Sequence, residues 1–297
     1  MVLVTAFTPT YNRAGLLPRL FDSLCAQTCK DFEWLIVDDG STDNTGTIVE
    51  TFRKSDLAGF PIKYIKKANG GKHTAINLGV QKAQGELFFI ADSDDVLPPD
   101  SIGNVIKQYI PIQNDESFAG ICGLDADFDR NIIGSGLPKA YIDATSIGIR
   151  FLYKVSGDLK EVFKTAILKE FPFPELPNER FCPEALVWNR IAQKYSLRFF
   201  NKAIYLAEYQ QGGLTDNIVR IRMKSPIATM MTYAETTEYK GVPLKSKIRA
   251  AINYWRFWFC KKAGSPAPHI SAKWLWAMPL GWLMHKRDCK NTALKTL

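Results

Sequence analysis

Strand-like and helix-like segments alternate through the first hundred residues, and this alternation restricts the fold more than any other feature. Apolar, β-rich runs fall at 2–8, 32–37, 62–65 and 86–90. Between the first two, Leu16, Leu17, Leu20, Phe21 and Leu24 recur at helical spacing. A second helix is expected over 44–53, capped by Ser41 or Asp43, and a third over 73–83. Strands alternating with helices of this length imply an α/β chain with a parallel sheet, whose sites lie beyond the strand carboxyl ends. Four such ends carry Thr8 to Tyr11, Asp38-Asp39, Lys66 to Lys72 and Asp92 to Asp95. Further on, 101–109 reads as a helix and 119–124 as a strand. The pattern then loosens from Asp125 to about residue 177. Residues 184–194 look helical, and 197–209 look like two strand-like pieces.

The fourth strand end is the most acidic. Asp92, Asp94 and Asp95 place three carboxylates within four residues, and such groups repel unless a positive charge sits among them. A divalent cation answers this, since hard oxygen ligands suit Mg²⁺ or Mn²⁺ and leave room for substrate phosphates. An Asp-rich turn with a helix cap is the plainer alternative. In the loop before the third helix, Gly70-Gly71 allows close backbone approach beside the point charge of Lys72. A solvated loop lysine is the bland alternative there, and His73 is expected to satisfy local hydrogen bonds.

A chain of 297 residues can bury one large domain or one and a half. No signal peptide is expected, because the apolar start leads straight into Thr8-Pro9-Thr10-Tyr11-Asn12 and reads as a strand. No stretch is long and apolar enough for a transmembrane helix. The cysteines (25, 29, 122, 182, 260, 289) lack zinc-site spacing, so reduced packing thiols and a reducing cytoplasm are expected. The net charge of +8 is local: from Lys240 onward twelve Lys/Arg face one acid, Asp288, while the rest is slightly acidic. Ile248, Ile252, Trp255 and Phe259 share one helical stripe of this tail, and Lys245, Arg249, Asn253 and Arg256 another. Five of the seven Trp lie there, and basic amphipathic helices with Trp settle in anionic bilayer interfaces. Residues 245–287 are therefore expected to meet a membrane surface, a peripheral position at the inner face of the cell membrane. Packing on the protein or in a dimer is the alternative. No nucleic-acid module accompanies the charge, and nucleic acid is not an expected partner.

Assembled in order, the motifs resemble those of the inverting family 2 glycosyltransferases. The matching pieces are Thr8-Pro9-Thr10-Tyr11-Asn12-Arg13, Gln27-Thr28, Phe32-Glu33 and Val37-Asp38-Asp39-Gly40-Ser41-Thr42-Asp43. They continue with Asn69-Gly70-Gly71-Lys72, Asn77-x-Gly79, Gly85-Glu86 and Asp92-Ser93-Asp94-Asp95. Order and spacing agree over about residues 1–105. The resemblance implies a GT-A fold, a mostly parallel sheet flanked by helices, followed here by a helical, basic C-terminal extension. It divides the chain into a catalytic domain over 1–239 and a tail over 240–297. Within the domain, 1–105 would bind the nucleotide sugar and 106–239 the acceptor.

The implied activity is metal-dependent transfer of a sugar, with inversion, from a nucleotide-diphosphate donor to a glycan or lipid-linked glycan in surface polysaccharide synthesis. Thr8, Pro9, Thr10, Tyr11, Asp39, Gly71, Lys72, Asp92 and Ser93 would hold the donor. Tyr11 would stack on the base and Asp39 would accept an imide N–H such as uracil's, which favours a UDP-sugar. Asp94 would bind Mn²⁺ or Mg²⁺ with Asp95 helping or capping, and Asp92 would meet the ribose. Inversion needs a carboxylate base. The family's Glu-Asp pair is absent, which leaves Glu184 as its counterpart and Glu179 as the runner-up. The turn at Gly157-Asp158-Leu159-Lys160-Glu161 would precede a capped helix or contribute to the acceptor pocket. The loop at 210–215 would close over the donor. The other readings are a sugar nucleotidyltransferase, which lacks support because the first strand is not followed by a Gly-rich basic loop, and a catalytically inactive membrane-associated binding protein.

Overall fold

The computed structural model describes residues 2–207 and 214–294, without the side chains of 214–216 and 292–294. The loop expected at 210–215 lies largely outside the described residues. The chain divides into two compact units, Met1–Pro172 with Lys194–Glu208, and Phe173–Gln193 with Tyr209–Leu297. This division does not follow the boundary expected at residue 240.

The first unit contains β1 (Val4–Thr10), α1 (Leu17–Cys25), β2 (Phe32–Asp38), α2 (Thr45–Arg53), β3 (Ile62–Lys66), α3 (Lys72–Lys82), β4 (Leu87–Ile90) and α4 (Ser101–Tyr109). It continues with β5 (Phe118–Ala126), β6 (Tyr141–Ala144), α5 (Ser146–Phe151), β7 (Leu159–Lys164) and α6 (Thr165–Glu170), and closes with β8 (Ser196–Leu206). One eight-stranded sheet runs β3-β2-β1-β4-β7-β5-β8-β6. The first four strands in that order are mutually parallel, and β8 is parallel to β5. β7 inserts antiparallel between β4 and β5, and β6 closes the far edge antiparallel to β8. The carboxyl ends of β1, β2, β4, β5 and β8 therefore share one edge with the amino end of β7.

Two expectations are corrected here. Residues 159–161 begin a strand rather than precede a capped helix, because Leu159, Val162 and Phe163 are buried between two neighbouring strands. The stretch expected as two pieces over 197–209 is one strand, β8, whose register shifts repeatedly against β5. Bulges break the alternation of buried and exposed residues on which strand recognition depends.

Every residue of β2 is buried, as expected for a parallel strand covered on both faces. One face stacks Phe21 on Phe52 at 4.3 Å, beside Trp34. On another strand pair, Phe7 stacks on Phe88 at 4.7 Å, and α3 presses Gly79 so close that a Cβ there would lie 2.1 Å from the Phe7 ring. Several of the matched motif residues prove to be structural. Glu33, fully buried, accepts from Thr5 Oγ1 (2.8 Å) and Gln84 N (2.7 Å), with Lys63 Nζ 2.9 Å away. Glu86 accepts from Gln113 Nε2 at 2.8 Å and from the Tyr109 hydroxyl. Gln27 accepts from Ile102 N at 3.1 Å and donates to Pro98 O at 2.8 Å, which ties α1 to the chain just beyond the acidic turn.

The second unit is helical: α7 (Glu184–Ile191), α8 (Leu214–Lys224), α9 (Pro226–Glu238), α10 (Leu244–Trp258), a 3₁₀ turn (Ala272–Ala277) and α11 (Met278–Leu294). Met230, Ala234, Tyr254, Trp255, Phe257 and Trp274 form its core. Trp255 Nε1 donates to Trp274 O at 3.0 Å, and Arg256 forks onto Asp288. The stripe carrying Trp255 is thus a packing face rather than the membrane face that helical spacing suggested. Leu244 is exposed at the start of α10, and a run of exposed apolar side chains lies farther on, at Leu275, Trp276, Leu280, Trp282, Leu283 and Met284.

Candidate active site

The shared edge of the first unit gathers most of the residues expected there. Asp38 closes β2, and Asp39 follows with both carboxylate oxygens occupied: Oδ1 accepts from Lys67 Nζ (2.8 Å) and Gly70 N (2.9 Å), and Oδ2 from Gly71 N (2.7 Å). A carboxylate has about four acceptor positions, so Oδ2 keeps capacity for one more donor. Lys67 also donates to Thr74 Oγ1 at 2.7 Å. These bonds fix the Gly70-Gly71 turn, where Gly71 adopts φ of +96° and hands the chain into α3. A side chain there would be strained.

Lys72, the first residue of α3, reaches across to Asp92 Oδ1 at 2.7 Å. Burial pushes the Asp92 carboxyl up, but the ammonium groups of Lys72 and Lys160 outweigh it and hold the group below its ordinary range. Asp92 N donates to the Tyr205 hydroxyl at 2.7 Å, and that hydroxyl bonds in turn with the Asp95 carboxyl. Burial raises Asp95 to about 7 despite Lys160, with Asp92 and Asp94 adding to the rise. Asp95 therefore does not cap α4; the cap position is Asp100. Ser93 is buried, whereas the Asp94 carboxylate is partly exposed and accepts no hydrogen bond among the described residues.

Tyr205, Asp125 and Arg19, which sequence reasoning did not assign to this edge, stand at its centre or rim, with Lys160 from the turn expected to precede a capped helix or contribute to the acceptor pocket. Lys160 Nζ lies 3.5 Å from the centroid of the Tyr205 ring. Asp125, at the end of β5, pairs in register with Tyr205 and is buried, its Oδ1 without a hydrogen-bond partner. Arg19 donates to the carbonyl of Asp94 and stacks over Phe128 at 4.5 Å. The signals were faint: Asp125 ends a recognisable strand, but Lys160 and Tyr205 sit on strands whose place depends on long-range pairing.

The strand-one residues divide. Thr8 is buried with its hydroxyl accepting from Trp34 Nε1 at 2.9 Å, so its side chain belongs to the core. Pro9 and Thr10 are buried in the ladder opposite Val37 and Asp38. Tyr11 stands exposed beyond them, and Asn12 Oδ1 accepts from Thr42 N at 2.8 Å to fasten this loop to the one after β2. Among the described residues, no three His, Cys, Asp or Glu side chains are grouped closely enough to hold a metal ion. One or two carboxylates with phosphate oxygens completing the shell would still suit Mg²⁺ or Mn²⁺.

In the second unit the two candidate bases are separated by their surroundings. Glu179 Oε1 and Oε2 accept from Ile227 N (2.6 Å) and Ala228 N (2.8 Å), which makes it the cap of α9. Burial raises its carboxyl. Glu184 stands in the first turn of α7, partly exposed.

Burial raises Asp125 to about 6. Its stabilising neutral form is full below pH 3.8, the ordinary carboxyl value, and is lost as pH rises through about 6. Asp125→Asn should therefore gain on wild type by about 2 kcal/mol between pH 4 and 7.5. Urea denaturation at the two pH values checks this; a constant difference contradicts it.

Comparison with known proteins places this edge. Residues 5–120 match Glycosyl transferase family 2. Glycosyltransferase GlyA of Streptococcus pneumoniae is 34% identical over 147 residues, 48% of this chain and 21% of that protein. The chain thus spans about a fifth of that relative's length. The GalNAc(5)-diNAcBac-PP-undecaprenol beta-1,3-glucosyltransferase of Campylobacter jejuni is 28% identical over 68% of this chain and 63% of its own. Among solved structures, S. aureus TarS 1-349 in complex with UDP aligns with a TM-score of 0.58 at 20% identity, over 86% of this chain and 81% of that one. The mannosyltransferase PcManGT from Pyrobaculum calidifontis, in complex with GDP-Man and Mn²⁺, aligns with a TM-score of 0.57 at 20% identity, over 95% and 73%. Residues 5–120, with the acidic turn and the Lys72 turn at their sheet edge, belong to glycosyl transferase family 2 and are built on the GT-A fold.

Proposed function

We propose that the chain is a metal-dependent, inverting glycosyltransferase that moves a sugar from a UDP-sugar to a glycan or lipid-linked glycan in surface polysaccharide synthesis. The observation that carries this reading is the pairing of Lys72, at the amino end of α3, with Asp92 in the acidic turn. A helix amino terminus with an adjacent ammonium attracts phosphate. The diphosphate would lie against Lys72, with Gly71 allowing close backbone approach, the base would stack on Tyr11, and Asp39 Oδ2 would accept the imide N–H. Asp92 and the Ser93 backbone would face the ribose. Backbone rather than side chain would serve at Thr8, Pro9 and Thr10, since all three are buried. Asp94 and Asp95 would hold Mn²⁺ or Mg²⁺, which neutralises charge on the departing diphosphate.

Glu184 would take the proton of the acceptor hydroxyl. Its rival, Glu179, turns both carboxylate oxygens to the backbone amides at the start of α9 and serves there as a helix cap. Glu184→Gln should lower kcat by about 10²–10⁴ with the KM for donor nearly unchanged. Sugar transfer from UDP-sugars, assayed with protein confirmed folded, measures this; a kcat near wild type removes Glu184 from the role.

The same reading extends to a peripheral membrane position. Trp276, Leu280, Leu283 and Met284 are exposed beside Lys286, Arg287 and Lys290, also exposed. Apolar side chains rimmed by cations suit the surface of an anionic bilayer. No helix among the described residues is long and apolar enough to cross a membrane. In co-sedimentation, phosphatidylglycerol vesicles should retain the chain and phosphatidylcholine vesicles should not. Trp276→Ser with Leu283→Ser should weaken retention by roughly tenfold or more; retention that ignores both substitutions contradicts the assignment.

A further inference from the structure

The second unit contains a cleft of about 270 Å³ with no acidic side chain in its lining. Four helices contribute to it: Asn189 comes from α7, Arg222 from α8, Tyr233 from α9, and Ser246, Arg249 and Ala250 from α10. Arg222 is anchored by Tyr233, whose hydroxyl accepts from Nη1 at 2.7 Å and whose ring stacks on Phe257 at 6.0 Å. The buried Nε of Arg222 has no acceptor among the described residues. Arg249 is exposed, and its guanidinium makes no hydrogen bond or ion pair among them.

Two other guanidiniums of the unit are paired with carboxylates. Arg190 forks onto Glu235 at 2.6 and 2.8 Å, and Arg256 forks onto Asp288. Against that background, two guanidiniums without carboxylates meet in one cleft beside a hydroxyl and a side-chain amide. Two guanidinium forks with a hydroxyl and an amide suit a phosphate, whose oxygens accept the parallel N–H bonds of an arginine fork. A volume of about 270 Å³ admits more than the phosphate alone, and Tyr233 and Ala250 offer apolar wall for the rest of the ligand.

We propose that this cleft binds a phosphate ester, with Arg222 and Arg249 as its anchors. A soluble ester and the headgroup of a lipid present the same chemistry. The assignment does not rest on the donor site, because all of the lining residues lie in the second unit.

The test uses the full chain. Calorimetric titration with glycerol 3-phosphate should show saturable binding, and glycerol should show none. Arg249→Gln, at an exposed position, and Arg222→Lys, which keeps the charge but loses the fork, should each weaken binding by roughly tenfold or more. Lys72→Ala, in the first unit, should leave it unchanged. Flotation with phosphatidic acid vesicles distinguishes the sources. Vesicle binding that falls in Arg249→Gln assigns a lipid headgroup, and glycerol 3-phosphate binding without such a fall assigns a soluble ester. The proposal is overturned if neither probe binds saturably, or if both arginine variants bind as wild type while Lys72→Ala does not.

Discussion

Burying carboxylates at the edge of a sheet is costly, and the first unit depends on how that cost is met. Asp39 is neutralised from one side by Lys67 and by two backbone amides, and Asp92 from another by Lys72. Each pair joins the turn before α3 to a different strand end. The turn is thereby held between Asp39 and Asp92. Removing Lys67 would strand the buried Asp39 carboxylate, which costs far more than an exposed pair returns. The geometry that would recognise a diphosphate is thus maintained by the same contacts that make the acidic edge tolerable.

Topology supplies the remaining charge. β7 runs antiparallel between β4 and β5, so its first residues, not its last, arrive at the functional edge. That reversal delivers Lys160 to the Tyr205 ring, within electrostatic reach of Asp92, Asp95 and Asp125. Tyr205 bonds both the amide of Asp92 and the carboxyl of Asp95, which ties the acidic turn to β8.

Much of this was legible in the chain itself. The four parallel strands announce themselves through buried apolar runs, and the polar residues at their ends converge because parallel strands leave no alternative. The motif residues Gln27, Glu33, Gly79, Gly85 and Glu86 were visible as a pattern, yet their roles were not. They hold helices and strands together away from the substrate edge, and a motif alone does not separate packing from chemistry. Thr8 illustrates the same point, since its hydroxyl serves Trp34. Lys160, Tyr205 and Asp125 stayed hidden because their meeting depends on strand pairings across 35 to 80 residues, with bulges in β8. Helical spacing in the tail correctly marked an apolar stripe on α10, but spacing does not say what covers it. Here it is the interior of the second unit, while the uncovered apolar side chains follow at 275–284.

The central claim is that the acidic turn and the Lys72 turn form one nucleotide-diphosphate site that needs a divalent ion. Calorimetric titration of UDP with and without Mn²⁺, on wild type and on Asp94→Ala, tests it most directly. The account predicts that UDP binds wild type in the presence of Mn²⁺, and that omitting the metal or replacing Asp94 each weakens binding by roughly tenfold or more. UDP binding that is indifferent to both, or absent under every metal condition, would contradict it.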